Sequence, residues 1–209
     1  MNRVQVLGVP LNPVTLGQAR EQLAAWLQND KTRLVFTPNA EIIASAQDNP
    51  QLKKALQAAD LTVPDGVGVV WAARRLGQPV PERVPGIELL QSLMALAAAR
   101  GYSVFFLGSK PGVAEEAARR LQQQYSGLRV AGIHHGYFTS QQEEDIVSQL
   151  KELRPDILVV ALGAPKQELW LLRYYSQLPV KIAIGVGGSL DVLAGQIKRA
   201  PVFWQKLGL

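Results

Sequence analysis

The sequence predicts an α/β fold, a mostly parallel Rossmann-like sheet flanked by helices, with room for a small accessory sheet. Three observations carry this. Short apolar runs alternate with helix-period segments from one end of the chain to the other. No Gly/Ser-rich linker divides them. A strand-then-glycine unit recurs at Gly108, Gly163 and Gly185 without any solenoid period, so the recurrence is architectural.

The first strand is expected over residues 4–7. A helix follows from Thr15, which forms a capping-box pair with Gln18 three residues on. The second strand, 34–36, runs into Thr37-Pro38-Asn39, and the next helix carries Ile42, Ile43 and Ala46 on one side. Asn49-Pro50 opens another helix, a cap residue before a first-turn proline. The third strand, 61–63, ends in Pro64-Asp65-Gly66. Residues 77–86 contain Gly77, Pro79, Pro81, Pro85 and Gly86, which predicts a surface loop, and this loop carries Glu82 and Arg83. A long helix over 87–100 is closed by Gly101. Strands at 104–107, 157–162 and 182–184 then lead into the three glycines. Between the first two lie a helix at 113–125, a strand at 128–133 and a helix entered at Ser140 with Glu143 three on.

At 209 residues the chain is sized for one domain, expected over 1–195, with 196–209 starting a further segment. Hydrophobic residues at 47% against 19% charged supply a core and exclude a disordered chain. No apolar run approaches the ~18 residues that span a bilayer. The start, Met1-Asn2-Arg3-Val4, lacks an apolar signal segment, so a cytoplasmic protein is expected. Without cysteine there are no disulfides or thiolate sites, and with only His134 and His135 most zinc chemistry is excluded. The balance of 22 Lys and Arg against 17 Asp and Glu, net +5, points to nucleic acid, an acidic membrane surface or a phosphorylated small molecule. The cations are dispersed and no aromatic-rich basic tract accompanies them, which argues against nucleic acid.

In an open parallel sheet, ligands bind outside the carboxyl ends of the strands. That rule selects Thr37, Asn39, Asp65, Gly66, Gly108, Gly163, Lys166, Gln167, Gly185, Gly187 and Gly188. Strand-end glycines let a ligand approach the backbone, and amides at the next helix start bind phosphate, so a nucleotide or sugar phosphate is expected. The familiar fingerprints nevertheless fail. Gly185-Val186-Gly187-Gly188-Ser189-Leu190 has leucine where the dinucleotide pattern needs its last glycine, and Gly108-Ser109-Lys110-Pro111-Gly112 is too short for a P-loop. Neither Gly-x-Ser-x-Gly nor Asp-x-Asp occurs. Charge on a leaving phosphate is then met by backbone amides and cationic side chains.

Each candidate has a plainer reading beside the functional one. Pro64-Asp65-Gly66 is also a turn tripeptide, and Thr37-Pro38-Asn39 a strand stop and helix cap. Arg83 is either one more solvated charge or a cation on a loop that closes over phosphate. The turn Pro165-Lys166-Gln167-Glu168 suits a sugar phosphate, whereas a surface helix start explains Glu168 but explains Lys166 poorly. Asp191 accepts from a base or ribose, or caps its helix. His134 and His135 are expected to face opposite ways, in a turn with packed aromatics rather than a catalytic site.

Taken in order, Thr37-Pro38-Asn39, Ala59-Asp60-Leu61, Pro64-Asp65-Gly66, Arg83 with Gly86, Phe106-Leu107-Gly108, Gly136-Tyr137-Phe138, Leu162-Gly163, Pro165-Lys166-Gln167-Glu168, Gly185-Val186-Gly187-Gly188 and Arg199-Ala200-Pro201 run over almost the whole chain. Together they closely resemble the WecG/TagA/CpsF glycosyltransferases. The resemblance implies sugar transfer from a UDP-linked donor to a polyprenyl-diphosphate-linked N-acetylglucosamine at the inner face of a bacterial plasma membrane. The branch it looks most like uses UDP-N-acetylmannosamine and builds the wall teichoic acid linkage unit. Another UDP-sugar, N-acetylmannosaminuronic acid or a hexose, and a non-catalytic nucleotide-sugar-binding module are the alternatives.

The resemblance also implies inversion at the anomeric carbon, no metal and no cofactor. Asp65 is implied as general base and Arg83 as the cation facing the diphosphate. Thr37, Asn39 and Gln167 are implied to orient the sugars, and Gly185 to Gly188 with Asp191 to hold the nucleotide. Family members continue beyond Arg199-Ala200-Pro201 into a basic, aromatic segment. The chain is therefore expected to be truncated, with that segment providing most of the membrane contact and with weak donor binding in its absence. A homo-oligomer is left open.

Overall fold

The computed structural model describes residues 3–197. Arg199-Ala200-Pro201 and the final Trp204 to Leu209, on which the expected membrane-docking segment bears, lie outside the described residues. The first two strands, β1 (Val4–Val6) and β2 (Val9–Leu11), pair antiparallel with Val4 opposite Leu11, and they form the small accessory sheet. β2 is a strand that the sequence reading lacked, because Pro10 in Val9-Pro10-Leu11 weakens a strand pattern; as half of a two-stranded ribbon it is an edge, where proline is tolerated.

Six strands form the main sheet, all parallel: β3 (Arg33–Phe36), β4 (Leu61–Thr62), β5 (Ser103–Gly108), β6 (Arg129–His134), β7 (Ile157–Ala161) and β8 (Ile182–Gly185). Their spatial order is β4-β3-β8-β7-β5-β6. Alternation with period two sends successive side chains into different layers. Val35, Phe106, Val159 and Ile184 join a core with α1 (Leu16–Trp26), α5 (Gly86–Arg100), α6 (Val113–Gln124) and α9 (Ser189–Leu193). Leu34, Phe36, Phe105, Leu107, Leu158 and Ala183 face the hairpin, α2 (Ala40–Asp48), α3 (Pro50–Ala58), α4 (Val67–Arg75), α7 (Ser140–Leu153) and α8 (Lys166–Tyr174). The sheet is thus buried on both faces, which is why its strands read as continuous apolar runs.

The caps follow sequence chemistry closely. Thr15 and Gln18 form the capping box of α1, Asn39 accepts from the Ile42 amide at 2.9 Å, and Asn49 does the same for Leu52 at 3.0 Å. Gly101 closes α5 in the left-handed conformation, φ 72°. Two helix ends differ from expectation. The box of α7 is Thr139 with Gln142, one residue before the Ser140 and Glu143 pair. α5 begins at Gly86, inside the stretch read as loop.

Helix α4 is not expected from the sequence. Its Val67-Gly68-Val69-Val70 opening has poor helix propensity, and Val69 and Ala73 make it a helix by burying one face against β1. His134 and His135 do not face apart either: their ring centroids are 4.8 Å apart, because β6 ends at His134 and strand alternation stops with it.

Candidate active site

Beyond β5 the chain proceeds to β6 on one side, and beyond β7 to β8 on the other, so a topological switch point lies between β5 and β7. Two adjoining clefts open along the carboxyl ends of the strands. The first, about 480 Å³, is lined by Thr37, Asn39, Asp65, Arg83, Gln167 and the Gly187-Gly188 turn. The second, about 640 Å³, is lined by Ser109, Lys110, Tyr137, Gly163, Lys166, Asp191 and the same turn. Gly187 and Gly188 border both clefts.

In the first cleft, half-buried Asp65 leaves the end of β4 and its Oδ2 accepts the Gly86 amide at 2.9 Å. That amide belongs to the first turn of α5, where helix N–H groups lack internal partners and a carboxylate is welcome. Thr37 leaves β3 beside it, its Oγ1 donating to the Gly185 carbonyl at 3.4 Å. A Cβ on Gly86 would lie 2.6 Å from Thr37 Oγ1 and 3.3 Å from Asp65 Oδ2, so glycine is what lets these three groups meet. Arg83, on the proline-bounded loop before α5, lines the same cleft.

Gln167 and Glu168 are both buried, which corrects the picture of Glu168 as a surface residue favoured by the helix dipole. Gln167 Oε1 accepts the Gly187 amide at 3.0 Å, and its Nε2 donates to Glu168 Oε1 at 2.8 Å. Burial pushes the Glu168 carboxyl above its ordinary pKa, with the Gln167 hydrogen bond opposing.

The second cleft gathers cations. Lys166 donates to the Gly136 carbonyl at 3.0 Å and sits 4.5 Å from the Phe138 ring centre, tying the start of α8 to the turn after β6. Lys110 follows Gly108 and Ser109 beyond β5. Asp191 lies inside α9 rather than at its cap, and its Oδ2 accepts from Ser109 Oγ at 3.0 Å. With two lysines and the backbone around Gly163 and Gly187, this cleft has the composition of an anion site. Among the described residues no group of three or more His, Asp or Glu could hold a metal ion.

Three selected glycines line neither cleft. A Cβ on Gly108 would clash with the Ala161 backbone, and one on Gly185 would crowd Phe36 and Gln167. Gly66, at φ 102°, is the N-cap of α4. Packing demands the first two glycines, and a left-handed backbone conformation demands the third.

Ser109, Lys110 and Tyr137 were not selected from the sequence. Lys110 stands two residues beyond a strand-end glycine, which is the signal that marks it. The sequence places Tyr137 among packed aromatics, but it is 65% exposed at the cleft while Phe138 packs on the core.

Residues 4–209 match the family described as Glycosyl transferase WecG/TagA/CpsF. Two N-acetylglucosaminyldiphosphoundecaprenol N-acetyl-beta-D-mannosaminyltransferases of Staphylococcus aureus, from strains MRSA252 and NCTC 8325, are each 37% identical to it over 209 residues, 99% of this chain and 82% of theirs. A nicotinate phosphoribosyltransferase from Vibrio cholerae covers 88% of this chain and 48% of its own at TM-score 0.25 and 16% identity, which is too distant to carry any argument. No described helix is long and apolar enough to cross a membrane. With nearly the whole chain matched and the paired clefts at the sheet's carboxyl edge, the protein belongs to the WecG/TagA/CpsF family and is a glycosyltransferase.

Proposed function

We propose that this chain transfers N-acetylmannosamine from UDP-N-acetylmannosamine to undecaprenyl-diphosphate-linked N-acetylglucosamine, inverting the anomeric carbon to form a β-1,4 linkage without a metal. The donor and acceptor are those in the names of the Staphylococcus aureus relatives. The observation that carries the mechanism is the half-buried Asp65 carboxylate, clamped by the Gly86 amide beside Thr37 in a cleft that Arg83 also lines.

In this reading Asp65 takes the proton from the attacking acceptor hydroxyl. The new C1–O bond forms as the bond from C1 to the diphosphate oxygen breaks, and the electron pair leaves with UDP. One carboxylate suffices for a single displacement. Arg83 offsets the charge developing on the diphosphate, while Thr37, Asn39 and Gln167 orient the two sugars. The second cleft, with Lys110, Lys166, the Gly187-Gly188 turn and Asp191, holds the nucleotide. The acceptor is lipid-borne, so the chain works as a peripheral protein at the cytoplasmic face of the membrane.

The test is UDP release from UDP-N-acetylmannosamine in chelator, with and without the lipid-diphosphate acceptor, for the native chain and Asp65→Asn. We expect acceptor-dependent release that falls at least ~10²-fold in Asp65→Asn, the usual scale of a lost general base. Near-normal transfer by a folded Asp65→Asn protein refutes the base assignment. Strict dependence on a divalent cation refutes the metal-free reading, and UDP binding without transfer moves the assignment to another donor sugar.

A further inference from the structure

Glu168 is a costly residue where it stands. It is 2% exposed, burial raises its pKa, and its Oε2 has no hydrogen-bond partner among the described residues. A leucine or methionine would fill the same volume without desolvating a carboxyl. Its position on the first turn of α8 gives only the modest compensation of a helix N-terminus.

What the carboxyl does can be followed atom by atom. Glu168 Oε1 accepts from Gln167 Nε2 at 2.8 Å, and Gln167 Oε1 accepts from the Gly187 amide at 3.0 Å. An amide flip at Gln167 would set its NH2 against the Gly187 N–H and its oxygen against the carboxyl, so an acceptor at position 168 permits one orientation. Gly187 sits at φ 52° in the turn that borders both clefts, and Gln167 is the side chain that holds its N–H. The chain of contacts thus runs from the start of α8 to the backbone between the two clefts.

We propose that Glu168 is a positioning residue for the nucleotide-sugar donor: it orients the Gln167 amide, and through it the Gly187-Gly188 turn on which the donor rests. The use of that turn by a UDP donor rests on the reading above. What matters is an acceptor at Oε1 rather than charge, so Glu168→Gln preserves the relay and Glu168→Met breaks it.

The experiment compares the native chain, Glu168→Gln and Glu168→Met by two readouts: hydrogen exchange of the Gly187 amide by NMR, and UDP affinity by calorimetry. A merely structural role predicts that Glu168→Met is at least as stable and binds UDP normally. The relay predicts fast Gly187 exchange and roughly tenfold weaker UDP binding in Glu168→Met, the scale of one lost hydrogen bond, with Glu168→Gln within about twofold of native. Equal Gly187 protection in all three proteins overturns the relay. Lost protection with unchanged UDP affinity overturns its role in donor positioning. Failure of the native chain to bind UDP, with the exchange pattern as expected, overturns the donor reading and leaves the Glu168 to Gly187 contact standing.

Discussion

Gly86→Ala places one methyl group between Thr37 and Asp65, both of which line the first cleft. The added Cβ would lie 2.6 Å from Thr37 Oγ1, 3.1 Å from Thr37 Cβ and 3.3 Å from Asp65 Oδ2. Ordinary contact begins near 3.4 Å, so Thr37 Oγ1 has to move by about 0.8 Å, the difference between 3.4 and 2.6. Turning χ1 does not suffice, because Thr37 Cβ is crowded as well and is anchored to the end of β3. The end of β3 and the start of α5 therefore separate, and the Gly86 amide shifts relative to Asp65.

Overpacking of this size costs roughly 1–2 kcal/mol, which lowers the melting temperature by about 2–8 °C for a chain of this length. Transfer suffers more than stability: displacing a base and its neighbour by most of an ångström costs on the order of 10²-fold in rate. Thermal melting and UDP release on the same preparation measure the two effects. Gly17→Ala is the control, since its Cβ meets only Thr15 Oγ1 at 3.7 Å on the exposed side of α1 and gains helix propensity. Turnover by Gly86→Ala within about threefold of native would refute the geometry assigned to Thr37 and Asp65.

Two further outcomes are expected. Asp60 accepts from Arg33 Nη1 at 2.7 Å and from the Leu34 amide at 2.9 Å, at the end of the sheet opposite the clefts; Asp60→Ala should destabilise by about 1–3 kcal/mol in denaturant melts while UDP affinity stays native, and a loss of affinity without a loss of stability would contradict this. Because burial raises the Glu168 carboxyl, the folded chain keeps a proton that the unfolded chain has already lost, so its stability contribution is full below the ordinary glutamate range and declines as pH rises through the raised value. Glu168→Gln has no such proton, so its melting temperature should gain on the native chain as pH rises from the ordinary glutamate range through the raised value, and parallel curves would show the carboxyl to be solvated.

Much of the architecture is local chemistry and was legible as such. Thr15 with Gln18, Asn39, Asn49-Pro50 and Gly101 mark helix ends through hydrogen bonds and backbone conformations that need no distant residue. The six parallel strands announced themselves as apolar runs because both faces of the sheet are covered. The rule that ligands sit at strand carboxyl ends then selected Thr37, Asn39, Asp65, Gln167, Gly187 and Gly188, all of which line the first cleft. Arg83 and Asp191 also line the clefts, although they do not follow directly from a strand end.

Other features needed tertiary structure, for a common reason: they depend on residues far apart in sequence. Helix α4 forms because β1 covers Val69 and Ala73, against the propensity of its own residues. Glu168 reads as an exposed first-turn acid until packing buries it beside Gln167. Asp60 stands five residues before Asp65 in an equally conspicuous motif, yet a strand lies between them, and one supports the far edge of the sheet while the other enters the cleft. Local pattern and composition carry the fold class, the strand ends and the residue types gathered there. Which glycines the packing consumes and which border a cleft was decided by contacts such as Gly108 on Ala161, because a missing side chain looks the same in sequence whatever fills its place.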